Sequence, residues 1–203
     1  MIGCGGNEES NKEEVKTPEK VEETPAPEKK NPKILVAYFS RTGENYQVGM
    51  IAKGNTHIMA DIIAKEIGAD EFEIKTEKKY PEGYHECTEV AKVELEKNER
   101  PALSTKVADM SKYDTIFLGY PIWWSDLPMA VYTFLESYDF NGKTIIPFCT
   151  SAGNYMTGKE VNIPQYAKGS TVKEGLGLEG KLCQENREKV KEDVKTWLKG
   201  LGY

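Results

Sequence analysis

The sequence predicts a three-layer α/β fold on a five-stranded, parallel, doubly wound sheet, and three observations carry that expectation. Short apolar runs alternate with longer stretches of helical periodicity from residue 33 to residue 203. The first run, Ile34-Leu35-Val36-Ala37-Tyr38-Phe39, is apolar throughout, as a parallel strand covered by helices on both faces requires. The chain closes on an amphipathic stripe of Val190, Val194, Trp197, Leu198 and Leu201 at 3.6-residue spacing.

The elements follow in order. The run from Ile34 reads as the central first strand. Ile58, Met59, Ile62, Ile63 and Ile67 then share one helical face, and Gly68 supplies the stop. Phe72 and Ile74 alternate with Glu71, Glu73 and Lys75, the pattern of an edge strand with one wet face. Residues 84 to 98 form a heavily charged helix. Thr115 to Gly119 make a third strand, Met129 to Tyr138 a further helix, and Thr144-Ile145-Ile146 a fourth strand. Pro147 lacks a ladder donor, so regular pairing should weaken there and the strand run out into a loop near Cys149. Thr171-Val172-Lys173 supplies the fifth strand, and no internal repeat is visible.

Composition separates a tail from this domain. Residues 1 to 32 contain no aromatic residue, five Lys, eight Glu and four Pro, and they carry −3 of the formal net charge of −6. Such a stretch cannot bury enough apolar surface to offset the entropy of ordering and is expected to be disordered. The remaining −3 includes no dense basic run, so nucleic acid is not an expected partner. No apolar run reaches the roughly 18 residues that a bilayer-spanning helix needs.

The four cysteines, Cys4, Cys87, Cys149 and Cys183, form no C-x-x-C pair, which argues against a cysteine metal site or a dithiol centre. Gly3-Cys4-Gly5-Gly6, opening directly into the charged tail, resembles the start of a mature bacterial lipoprotein. That resemblance implies lipid on Cys4 and a tether on the outer face of the cytoplasmic membrane. The preceding signal segment is absent, and a cytoplasmic protein is the alternative.

In a doubly wound sheet, ligands bind beyond the carboxyl ends of the strands at the switch point, so the loops after strands one, three and four are the candidates. The first, Ser40-Arg41-Thr42-Gly43, offers hydroxyls and amides, and Gly54-Asn55-Thr56 opens the helix whose positive end favours an anion. Together they suit a phosphate; an ordinary hydroxyl-rich turn with a helix cap has the same composition. In the second loop, Tyr120-Pro121-Ile122-Trp123-Trp124-Ser125, two adjacent tryptophans offer flat surfaces to a planar ring, unless they serve core packing or a partner interface. The third, Thr150-Ser151-Ala152-Gly153-Asn154, combines small residues and hydroxyls, which lets backbone groups approach a ring edge.

With these three loops in order, residues 33 to 203 resemble the flavodoxin family, and most closely a subgroup with Y-F-S-R-T-G and Y-P-I-W-W motifs. The resemblance implies a flavodoxin-like fold with strand order 2-1-3-4-5 and flavin mononucleotide (FMN) as cofactor. Ser40, Arg41, Thr42, Asn55 and Thr56 would then surround its phosphate. Pro121, Ile122, Trp123 and Trp124 would lie beside the isoalloxazine, with Thr150, Ser151, Ala152 and Gly153 along its other edge. One departure stands out. The compact S-x-T-G-N-T loop of the family is split here by Glu44 to Lys53, so Gly43 and Gly54 compete for one role. The insertion is expected to loop outward and leave the site, with Glu44 held away from the phosphate it would repel.

Other candidates carry less. Gly175-Leu176-Gly177-Leu178-Glu179-Gly180 matches G-x-G-x-x-G formally, but the chain ends with the next helix, so no second strand completes a dinucleotide-binding unit. His57 reads as a solvent-facing first-turn residue, with contact to the cofactor as the alternative, and His85 suggests nothing catalytic. No nucleophile, base and orienting acid can be assembled, so no catalytic or metal-ligating residue is assigned. The expected function is electron transfer to a redox partner protein or a small-molecule acceptor. The alternatives are an FMN-dependent NAD(P)H oxidoreductase acting on quinone-like acceptors and a cofactor-free flavodoxin-fold binding protein.

Overall fold

The computed structural model describes Gly3, residues 33–153 and residues 155–203. Apart from Gly3, the tail expected over residues 1–32, with Cys4, lies outside the described residues, as does Asn154.

In chain order the elements are β1 (Ile34–Tyr38), β2 (Gly43–Asn45), β3 (Gly49–Ile51), α1 (Asn55–Ile67), β4 (Asp70–Glu73), α2 (Tyr84–Glu96) and β5 (Thr115–Pro121). There follow α3 (Met129–Glu136), β6 (Thr144–Ser151), α4 (Ile163–Tyr166), β7 (Thr171–Val172), β8 (Leu176–Glu179), α5 (Gly180–Glu185) and α6 (Arg187–Leu201). The main sheet is parallel, in the order β4-β1-β5-β6-β7, with β8 also on β6. Counting β7 and β8 as one interrupted strand gives the expected 2-1-3-4-5, with β1 inside the sheet and β4 at its edge.

Both faces of the sheet are covered, which is why β1 is apolar at every position. Val36 and Tyr38 pack with Ile58, Met59 and Ile63 of α1 and with Val190, Val194 and Leu198 of α6. Leu35, Ala37 and Phe39 point the other way, into a cluster with α3, Ile163 and the opposite faces of β5 and β6. Gly68 ends α1 in the left-handed region at φ 64°, as the periodicity predicts.

The fourth and fifth strands depart from expectation, and Pro147 explains both departures. β6 does not run out near Cys149; it continues to Ser151, in register with β5 from Thr115↔Thr144 to Pro121↔Thr150. The Lys173 amide donates to the Ile145 carbonyl at 3.0 Å, so Ile145, and by alternation Pro147, faces the fifth strand. The missing donor therefore interrupts pairing on that side only. The fifth strand breaks there into β7, opposite Thr144 and Ile145, and β8, opposite Phe148 to Ser151. The G-x-G-x-x-G match accordingly forms the residue before β8, β8 itself and the first residue of α5, not a phosphate-binding loop.

The inserted residues after Gly43 form an antiparallel hairpin, β2 with β3, pairing Gly43↔Ile51 and Asn45↔Gly49. No helix among the described residues is long and apolar enough to cross a membrane.

Candidate functional site

At the carboxyl ends of β1, β5 and β6 lies a cleft of about 570 Å³, within the range of small-molecule sites. One end is a cradle made by the turn after β1 and the start of α1. A Cβ on Gly54 would stand 2.1 Å from Ser40 Oγ and 2.6 Å from the Arg41 carbonyl, so only glycine lets these backbones approach. Ser40 Oγ accepts from the His57 amide at 3.1 Å, and the Ile58 amide bonds to the Gly54 carbonyl. Gly54 at the N-cap has no side chain to bond the first turn and Ser40 takes only the His57 amide, so the amides of Asn55 and Thr56 remain for a ligand at the positive end of a 13-residue helix.

The side chains of the cradle are held from outside it. Asn55 Oδ1 accepts from Gln184 Nε2 at 2.7 Å, and the same Gln184 nitrogen reaches the Lys53 carbonyl at 2.8 Å. Thr56 and Thr150, both buried, share a hydroxyl hydrogen bond of 2.7 Å, which ties the cradle to the end of β6. Thr42 is exposed. Gly43 and Gly54 do not compete. Gly43 takes φ 83° where the hairpin leaves, against the Glu82 carbonyl, while Gly54 lies in the cradle.

Arg41 differs from expectation. Its guanidinium donates to the carbonyls of Glu44, Pro81 at 2.7 Å, Glu82, and Gly83 at 3.2 Å. It thus clamps the hairpin to the segment leading into α2. Only its buried Nε lacks a partner. Glu44 is turned from the cradle, its carboxylate accepting from the Tyr84 amide at 2.9 Å. The insertion as a whole does not leave the site, however: Asn45, Tyr46 and Gln47 line the cleft.

The second loop is a tight turn in which Trp123 and Asp126 exchange backbone hydrogen bonds of 3.0 Å. Its central residues, Trp124 at φ 51° and Ser125 at φ 59°, hold a left-handed geometry that usually takes Asn and Gly. The two tryptophans diverge. Trp123 lies edge-on to Phe39 and Tyr80, with centroids 5.3 and 5.0 Å away, and is braced by the core. Trp124 is 49% exposed; its Nε1 donates to the Thr88 carbonyl at 2.9 Å, and Lys92 Nζ lies 5.6 Å from its ring centre. Pro121 is the last residue of β5, and the Ile122 amide donates to the Thr150 carbonyl at 2.9 Å, so this loop and the third are laced together.

In the third loop Ser151 Oγ accepts from the Gly153 amide at 3.1 Å. Thr150, Ser151 and Ala152 line the cleft. The wall facing these loops was not foreseen. It comes from the first turns of α2, with Tyr84, His85 and Thr88, and from Tyr46, whose ring lies 5.8 Å from that of Tyr84. Cys87 is buried beside it, and burial pushes its thiol pKa up.

A family model described as Flavodoxin matches residues 33–200. Among solved structures, a candidate flavoprotein from Bacteroides uniformis is 35% identical, with 82% of this chain and 99% of that chain covered and a TM-score of 0.65. A second, from Bacteroides eggerthii, is 28% identical over 85% of this chain and 99% of that one, with a TM-score of 0.66. A flavoprotein from Lactobacillus acidophilus, solved in complex with FMN, shares the fold at 23% identity over 76% and 98% of the two chains, with a TM-score of 0.57. No curated protein shows significant similarity to the chain.

Proposed function

We propose, from the premise that this chain belongs to the flavodoxin family, that its cleft binds FMN and that the protein carries electrons between redox partners. The observation that supports this most directly is the cradle at Gly54. It presents a helix terminus with a glycine N-cap and two first-turn amides left open at one end of a cleft whose other end is bordered by Trp123 and Trp124. Anion-binding groups at one end and aromatic surface at the other match a phosphorylated planar ring. Bound FMN supplies one- and two-electron redox chemistry through its isoalloxazine.

The protein's own residues would bind and orient. The amides of Asn55 and Thr56 would face the phosphate, with the Thr42 hydroxyl as the family resemblance implies, while Gln184 fixes the Asn55 side chain. Residues 121–124 and 150–152, which line the cleft, would border the ring. The half-exposed Trp124 puts the ring side of the cleft at the surface, where a partner can approach without a substrate having to enter.

One feature favours a second reading. The wall of Tyr84 and His85 extends the cleft beyond the two ring loops, which would give a nicotinamide or a quinone-like acceptor somewhere to lie in an FMN-dependent reductase. Titrating the purified protein with FMN and riboflavin tests the common premise: FMN should bind at least tenfold more tightly, about 1.4 kcal/mol, and a protein that binds neither would overturn it. Rapid NAD(P)H oxidation by the reconstituted protein would favour the reductase over the carrier.

A further inference from the structure

At the edge of the sheet, outside the cleft, three potential metal ligands converge. His57 and Asp61 lie one helical turn apart on α1, with His57 Nε2 3.2 Å from Asp61 Oδ1. Glu71 reaches the same point from β4, and one ligand atom from each of the three lies within 4.8 Å of the others.

The fold alone does not call for this grouping. In the sheet register Val36 is opposite Glu71 and Tyr38 opposite Glu73. Val36 and Tyr38 carry the apolar face packed on α1, so β4 places carboxylates in positions of the same face. Two carboxylates of different elements, Asp61 and Glu71, are thereby brought together, with Lys53 offsetting part of their repulsion. Lys53 takes the other oxygen of Asp61, Oδ2, and leaves Oδ1 toward His57. Glu71 makes no ion pair among the described residues. The His57 ring is fixed by Tyr38, with centroids 4.8 Å apart, and its amide by Ser40.

We propose that His57, Asp61 and Glu71 bind one divalent ion of the borderline class, Zn²⁺ foremost, with solvent completing the coordination. One imidazole nitrogen and two carboxylates form a donor set for such an ion; Ca²⁺ and Mg²⁺ take oxygen ligands, and more of them. The geometry is close to ready. With metal–ligand bonds of about 2.0–2.1 Å, neighbouring ligand atoms of a tetrahedron stand about 3.3 Å apart. His57 and Asp61 already have that spacing, at 3.2 Å. From the 4.8 Å limit, the exposed Glu71 side chain has at most about 1.5 Å to close, within the reach of a rotamer change.

The test uses the full-length, tag-free protein after chelator treatment, with Zn²⁺ titrated calorimetrically and Co²⁺ followed by absorption. One equivalent of Zn²⁺ should bind, His57→Ala should abolish that binding, and Glu71→Gln should weaken it at least tenfold. The Co²⁺ spectrum should lack a thiolate charge-transfer band. Absence of one-to-one binding, binding by both variants as tight as that of the unsubstituted protein, or a thiolate band assigning the ion to a cysteine would each overturn the proposal. Circular dichroism checks the fold; if His57→Ala unfolds, the exposed Glu71→Gln position decides the matter.

Discussion

The hydroxyls of Thr56 and Thr150, 94 residues apart in sequence, share a buried hydrogen bond of 2.7 Å. It joins the first turn of α1 to the last turn of pairing on β6, and so joins the two ends of the candidate cofactor site. Removing one partner leaves the other hydroxyl buried and unsatisfied, at a cost of about 1–3 kcal/mol. Thr56→Val or Thr150→Val should each lower stability by that order in urea unfolding. The double variant should cost clearly less than the sum, because no orphan remains. Strict additivity would show that the two hydroxyls do not depend on each other.

Gly54→Ala should damage the cradle specifically. The added Cβ meets Ser40 Oγ at 2.1 Å and the Arg41 carbonyl at 2.6 Å, and backbone cannot rotate aside as a side chain can. FMN affinity is expected to fall at least tenfold, about 1.4 kcal/mol, with riboflavin affinity changing less. Thr42→Ala, at an exposed position, should show the same selectivity with a smaller loss and no change in the melting temperature. Equal losses for the two flavins would refute the phosphate assignment.

How far the sequence reached depends on which contacts are local. The helix stop at Gly68 and the two buried faces of β1 were legible because each rests on a continuous apolar run or a 3.6-residue stripe, whereas the strand order came from the family resemblance. The hairpin was not, since three-residue strands carry no period and its bends at Gln47 and Gly49 have only weak turn chemistry. Pro147 was recognised as a break, but sequence does not say which neighbour a residue's N–H would face. Within the site, the three loops could be located from strand ends. The long-range partners that decide what each side chain does could not: Pro81, Glu82 and Gly83 for Arg41, Gln184 for Asn55, and Tyr84 and His85 as the facing wall.

The turn at Trp124 and Ser125 stores strain that can be measured. A non-glycine residue held in the left-handed region costs about 1–3 kcal/mol. Ser125→Gly removes most of that cost at φ 59°, where the exposed serine side chain makes no hydrogen bond among the described residues. The variant should melt about 2–4 °C higher, the shift expected for about 1 kcal/mol in a domain of this size. A neutral or lower melting temperature would mean that the turn is relaxed as it stands.

The three described cysteines should be protected thiols. Burial pushes the Cys149 and Cys183 thiols from 9.0 up to about 12, and Cys87 is also raised. Because the thiolate is the nucleophile, a Cys4→Ser variant should react with a thiol reagent at pH 8 only as fast as the protein opens, and at once in denaturant. The linkage has a definite sign. The folded state holds these protons more tightly than the unfolded chain, so the associated stability is complete below pH 9 and is lost as pH rises toward 12. Urea midpoints should therefore fall from pH 9 to pH 11, and Cys183→Ala should make that fall shallower while lowering stability at pH 7. Rapid labelling at Cys183 in the native variant, or an unchanged slope in Cys183→Ala, would place Cys183 in a more solvated setting than the interface of α5 with the sheet.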